Sequence, residues 1–189
     1  MKSNLLKLLA LLSMVAPLAA NAISITYDVN RTVDAGSVVG TITTDGTLGV
    51  LTTGNITNWV ITLSAPNLRG GSPDVIDFAT QTQTNLGGTA TTATDTQLLF
   101  NFSLPGTNFF LLSGGSLNFW CLETADCTGE GPGEHIGRNS LEFILSAQTA
   151  IFTSGNLVFA QVSAIPVPAA VWLFGSALGL LGWMRRKAT

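Results

Sequence analysis

An antiparallel β-sandwich of jelly-roll type is the fold class this chain predicts for its central part, residues 23–164. Three observations carry that expectation. Short apolar runs alternate with period two, as half-buried strands do, and no long stretch shows a helical period. Turn signals recur between them at Asp45-Gly46, Ala65-Pro66-Asn67, Gly70-Gly71, Gly87-Gly88, Pro105-Gly106 and Gly114-Gly115. Charge is sparse, at 10% of residues, while threonine, glycine, asparagine and serine are plentiful. About 140 residues suffice for one domain with a real core.

The strands are expected in order. The run 23–29 puts Ile23, Ile25, Tyr27 and Val29 on one face, and 38–43 follows. A short helical turn is expected near 53–56, before a strand over 57–63 that aligns Trp59, Ile61 and Leu63 as core. Further strands are expected over 74–78, 97–103, 108–112, 117–122, 141–147 and 156–164. Residues 79–96, rich in Thr and Gln, read as a loop or hairpin tip.

The two ends of the chain have a different character. Lys2 and Lys7 precede an apolar run that ends at Pro17 and Ala20-Asn21-Ala22. A basic start, an apolar middle too short for a bilayer and an A-x-A ending predict a signal peptide over 1–22, handled by the Sec machinery, with Ile23 as the mature N-terminus. At the other end, residues 165–189 hold a proline motif, an apolar segment and the basic cluster Arg185, Arg186 and Lys187. Pro168 suits a first helical turn. A helix over 168–184 would run about 25 Å, enough to cross a bilayer core of about 30 Å when the basic side chains snorkel. Trp172 and Trp183 sit where interfacial aromatics belong. Gly175 and Gly179 form a G-x-x-x-G, which in membrane helices is more often plain glycine abundance than a packing face.

Charge placement fixes a topology for these segments. Five of the eight basic residues flank the two apolar segments, so both ends are expected on the cytoplasmic side and residues 23–164 outside. That outer part has no lysine. Its eleven acids less Arg31, Arg69 and Arg138 give a formal charge of −8. Such a surface repels phosphates, which excludes a nucleic-acid partner.

The stretch Val167-Pro168-Ala169-Ala170-Val171-Trp172-Leu173-Phe174-Gly175-Ser176, before a basic terminus, resembles the PEP-CTERM sorting signal of Gram-negative bacteria in a Val-Pro-x-Pro-Ala-type variant. The resemblance covers residues 165–187. It implies recognition by an exosortase, a membrane transpeptidase, with Pro166, Val167, Pro168 and Ala169 as the sorting and processing motif. Arg185, Arg186 and Lys187 would be the cytoplasmic stop. Val167 stands where the namesake motif has glutamate, so the cut position is not carried over. The resemblance also implies export across the inner membrane, a membrane-anchored intermediate, and then a cell-surface or extracellular-matrix location. An exopolysaccharide or biofilm setting comes with it. A plain single-span anchor is the rival reading of the tail; a GPI signal would need a polar spacer that is not there. The segment 43–59 is similar to one recurring in the outer domains of PEP-CTERM proteins and implies no activity.

Few residues of the outer part carry chemistry. Cys121 and Cys127 are the only cysteines, and in an exported chain they are expected to close a small disulfide loop. Glu123, Asp126, Glu130 and Glu134 lie among glycines there, a weak calcium candidate set against a solvated acidic loop. Asp74 and Asp77 are weaker still. His135 is the only histidine, so a zinc site or a Ser-His-acid triad cannot be assembled, and it reads as a loop residue. No catalytic set and no cofactor is expected. Trp120 shares a face with Asn118 and Leu122, opposite Phe119 and Cys121. It is either buried under the disulfide loop or a surface contact for sugar. The function expected is that of a non-enzymatic surface or matrix protein; the alternative is a carbohydrate-binding module using Trp120 and the acidic loop, with calcium.

Overall fold

The computed structural model describes residues 23–162 apart from 82, 126, 129, 130, 140–143 and 153. For 139 and 144–147 it describes the backbone alone. The expected signal peptide over 1–22 and the sorting tail over 165–189, with its helix over 168–184, lie outside the described residues. So do Asp126 and Glu130. No helix among the described residues is long and apolar enough to cross a membrane.

Among the described residues thirteen strands build two antiparallel sheets. They are β1 (Ile25–Val33), β2 (Gly36–Thr44), β3 (Gly49–Val50), β4 (Ile56–Ser64), β5 (Asp74–Asp77), β6 (Gln83–Gly87) and β7 (Thr91–Ala93). They continue with β8 (Gln97–Asn101), β9 (Phe109–Ser113), β10 (Asn118–Glu123), β11 (Gly133–Asn139), β12 (Ile144–Ile151) and β13 (Asn156–Gln161). A 3-10 turn over Thr53–Asn55 precedes β4, where a helical turn was expected. One sheet has eight strands in the order β3-β7-β8-β13-β1-β2-β4-β5, the other five in the order β12-β11-β10-β9-β6. The all-β, two-sheet arrangement agrees with the sandwich expected from the alternating runs.

Alternation along the strands makes the shared core. Tyr27, Val29, Ile42, Trp59, Ile61 and Leu63 of the larger sheet meet Phe110, Leu112, Trp120, Leu122 and Ile136 of the smaller. Phe110, Trp120 and Phe159 pack at ring centroid distances of 5.0–5.8 Å, joining the two sheets at one aromatic contact. Trp59 is core, as its face predicted, and its indole Nε1 donates across to Thr84 Oγ1 at 2.8 Å. That bond satisfies a buried donor that would otherwise cost about 1–3 kcal/mol.

Two expectations need correcting. Residues 79–96 are not simply a loop: β6 pairs with β9 in the smaller sheet, and β7 pairs with β8 in the larger. The chain crosses between sheets there. β6 escaped the period-two pattern because it is an edge strand whose residues are only half covered, so Gln, Thr and Asn suffice. The second correction is β11. Glu134, read as part of an acidic loop, and His135, read as a loop residue, lie on an interior strand between β10 and β12. Both are fully buried.

Candidate functional site

Strand β10 is buried on both faces, and that determines where the chemical side chains of the chain go. Cross-strand register pairs Trp120 with Ile136 and Leu122 with Glu134, placing Glu134 on the core side. It pairs Cys121 with His135 and Glu123 with Gly133, placing His135 on the outer side. Successive residues of one strand point to opposite faces, so Glu134 and His135 serve two separate clusters.

The outer cluster gathers around Cys121 and Cys127. Cys121 and Cys127 sit at disulfide-bonding distance, Cα atoms 6.5 Å apart, and pack with Phe119, Phe109 and Leu111 into a small second core. Inside the Cys121–Cys127 loop, the Glu123 carboxylate is an internal cap. Its Oε2 accepts the Cys127 N–H, and its Oε1 accepts the Thr128 N–H at 3.0 Å and the Thr128 hydroxyl. His135 Nε2 lies 3.3 Å from Glu123 Oε1 and 3.2 Å from Gly131 O, both acceptors, so Nε2 carries a proton. Its Nδ1 lies 3.2 Å from the Thr149 hydroxyl. Gly133 makes this possible: a Cβ there would come within 2.6 Å of Ala150 O and 3.1 Å of His135 Nε2.

On the core side, Glu134 Oε2 accepts from Arg31 Nη2 at 2.6 Å and from Nε at 3.2 Å. Its Oε1 accepts the Trp120 indole N–H at 3.0 Å. Arg31 belongs to β1 in the other sheet, so this pair bridges the two layers. Glu134 is wholly buried, whereas the Arg31 side chain keeps 21% of its surface exposed. The exposed part opens into a cleft.

That cleft is a seam in the eight-stranded sheet. β1 and β13 are neighbours, and among the described residues they pair at one position, Asp28 with Gln161. β13 carries a bulge between Val158 and Ala160, where its register against β8 shifts. An extra residue bends a strand and strengthens its twist; the bulge falls at Phe159, which joins the aromatic contact with Phe110 and Trp120. A cavity of about 450 Å³ lies beside it, lined by Asp28, Asn30, Arg31 and Gln161 with residues 158–162 of β13 and its exit. A second, more open groove of about 630 Å³ lies between the 3-10 turn and β6, bounded by Phe78, Gln81, Gln83, Thr84 and Asn85.

These placements decide between the readings of the individual residues. Trp120 is fully buried in the inter-sheet core, so it presents no ring to a sugar at the surface, and it lies on the face away from the disulfide loop. Glu123 and Glu134 lie on opposite faces of one sheet and do not converge on an ion. Among the described residues no three His, Cys, Asp or Glu side chains form a metal-binding group. Asp74 accepts from Ser116 Oγ and from Asn118 Nδ2 at 2.8 Å, pinning the 65–74 loop to β10. Asp77 caps Thr80 through its backbone N–H and hydroxyl; those bonds, the backbone one first, hold its carboxyl below the usual carboxylate range. Two features had no forecast in the sequence, the Arg31–Glu134 bridge and the seam. A lone arginine at an inward position of β1, in step with Tyr27, Val29 and Val33, was the available sign of the first.

No protein-family model matches this chain, and no curated protein or solved structure matches it either.

Proposed function

We propose that the chain is an exported, non-enzymatic display protein. Its outer domain, a jelly-roll-like sandwich, is delivered by the signal peptide over 1–22 through the Sec machinery. It is then held by the tail over 165–189 until an exosortase-type transpeptidase processes the Pro166–Ala169 motif. Arg185, Arg186 and Lys187 keep the tail's end on the cytoplasmic side. The destination proposed is the cell surface or extracellular matrix of a Gram-negative bacterium, in an exopolysaccharide or biofilm setting.

One observation supports this reading above the others. The side chains with most chemical capacity, Glu123, Glu134, His135 and Trp120, are all buried and hydrogen-bonded to one another or to backbone and hydroxyl groups. They act as fasteners of the fold, and a fastened, cross-linked sandwich suits display outside the cell. A cysteine pair at bonding distance suits an oxidising compartment.

Mass spectrometry of the mature protein, recovered from the bacterium that makes it, tests the proposal. The expected termini are Ile23 at the front and a new C-terminus within 166–170. A chain that still ends at Thr189 overturns processing and leaves a plain membrane anchor.

A further inference from the structure

We propose that Asn30 is a modification site, its side-chain amide joined to an oligosaccharide as the chain is exported. Three tripeptides of the outer part fit the Asn-x-Ser/Thr acceptor pattern: Asn30-Arg31-Thr32, Asn55-Ile56-Thr57 and Asn101-Phe102-Ser103. The fold separates the first from the other two.

On β1 the side chains of Tyr27, Val29 and Val33 are buried in the core. Alternation therefore turns Asp28, Asn30 and Thr32 together to the outer face of the eight-stranded sheet. Asn30 and Thr32 are both exposed. Among the described residues no hydrogen bond uses the Asn30 side chain. Asn55 is the opposite case. Its Nδ2 donates to Asp45 Oδ2 at 3.0 Å and to Thr47 Oγ1 at 3.2 Å, which occupies both amide protons. Its Oδ1 accepts the Thr52 N–H at 2.8 Å and the Thr52 hydroxyl. A sugar on that nitrogen would replace one of the two protons and undo a fastening of the turn. Asn101 is half-buried, and its Oδ1 holds the Ser103 N–H at 2.8 Å.

The local sequence draws the same distinction before the chain folds. Asp28 stands two residues ahead of Asn30, whereas Thr53 and Leu99 hold that place for Asn55 and Asn101. Residues two apart share one side of an extended chain. A transferring enzyme that grips β1 extended thus meets a carboxylate, the acceptor amide and the Thr32 hydroxyl in one row. The carboxylate offers a cationic enzyme group a charge-assisted anchor. The co-reactant is a saccharide carried on a polyprenyl diphosphate. The Asn30 nitrogen bonds to the anomeric carbon while the carbon–oxygen bond to the diphosphate breaks. The lipid diphosphate leaves with that electron pair, and the nitrogen gives one proton to a base of the enzyme.

The finished fold has room for the product. Asn30 lies opposite Val39 of β2 and faces Val158 across the seam, and both valines are exposed. The C–H faces of a glycan rooted there would cover apolar surface that a displayed domain otherwise turns to water. This inference rests on export of residues 23–164 and needs no part of the tail.

The test is peptide mapping by mass spectrometry of the protein, and of variants expressed in the same bacterium. A saccharide mass is expected on the peptide that holds Asn30 and on neither of those that hold Asn55 and Asn101. Asn30→Gln should remove it completely. So should Thr32→Ala, which leaves the acceptor amide in place. Asn55→Gln should keep it. A chain that begins at Ile23 with Asn30 bare overturns the proposal and leaves export standing. One that begins at Met1 with Asn30 bare overturns both. A saccharide on Asn55 or Asn101, or one that persists in Thr32→Ala, also overturns it.

Discussion

Removing Arg31 is expected to damage this protein more than removing Arg31 and its partner together. Consider a cycle of Arg31→Met, Glu134→Met and the double variant. In Arg31→Met the Glu134 carboxylate stays fully buried with the Trp120 N–H as its remaining donor. A stranded buried charge costs about 3–5 kcal/mol. In Glu134→Met the stranded partner is Arg31, 21% exposed, which can reach water through the seam. The main loss is then the acceptor for the buried Trp120 N–H, about 1–3 kcal/mol, with a smaller contribution from Arg31. In the double variant both charges are gone and the unsatisfied indole is what remains. It should therefore be about 1–3 kcal/mol more stable than Arg31→Met alone. Urea denaturation with the cysteine pair oxidised, followed by tryptophan fluorescence, reads each free energy from the midpoint at unchanged slope. Costs that simply add, leaving the double variant the least stable of the four, would refute the bridge as an energetic unit.

Reducing the Cys121–Cys127 pair opens a loop of about seven residues, for which chain entropy predicts a loss of about 2 kcal/mol, measured as a lower urea midpoint in dithiothreitol; an unmoved midpoint would contradict it. Gly133→Ala drives a Cβ to within 2.6 Å of Ala150 O and against His135, so overpacking should cost about 1–3 kcal/mol. Wild-type stability in that variant would mean that β11 and β12 shift freely. Asp45 is held below the usual carboxylate range, first by the Asn55 side-chain amide, then by the Thr47 backbone and hydroxyl. A depressed carboxylate stabilises the fold above its unfolded value of about 3.9, and that contribution fades as pH falls through the lower folded value. Asp45→Asn should thus be less stable than the parent at pH 6 and converge with it as pH falls through the lowered folded value; a gap that ignores pH would count against the linkage. Tyr27 runs the other way. Burial first, with Asp95 nearby, raises its phenol against the Thr44 hydrogen bond that lowers it, so stability should decline as pH climbs above about 10, the unfolded value.

Periodicity was a good guide for strands that turn alternate apolar residues into the shared core. β1, β2, β4, β8, β9, β10 and β13 all overlap the alternating runs expected for them. It failed in two physical situations. β6 is an edge strand that demands little burial, so nothing in Gln-Thr-Asn-Leu-Gly distinguishes strand from loop, and β7, three residues long, is too short for a period to show although Thr91 and Ala93 are buried. β11 fails for the opposite reason. It is interior on both faces, yet its polar residues are neutralised by partners 103 positions away in sequence, for Arg31, and 12 away, for Glu123. Long-range compensation leaves no local trace. Trp120 was legible in part: its face was assigned correctly relative to Phe119 and Cys121. Which of the two faces met the other sheet depended on the disulfide loop folding back over the opposite one.

The dipeptide Glu134-His135 explains why the carboxylates are poor guides to what this protein does. One residue step along β11 sends Glu134 inward to Arg31 and Trp120, and His135 outward to Glu123 and the disulfide loop. A single strand therefore fastens the smaller sheet to the larger one and the loop to the smaller sheet. Glu123 has both oxygens occupied by Cys127 and Thr128, and Glu134 has both occupied by Trp120 and Arg31. Carboxylates so satisfied have little left to offer an ion or a substrate without dismantling the fold.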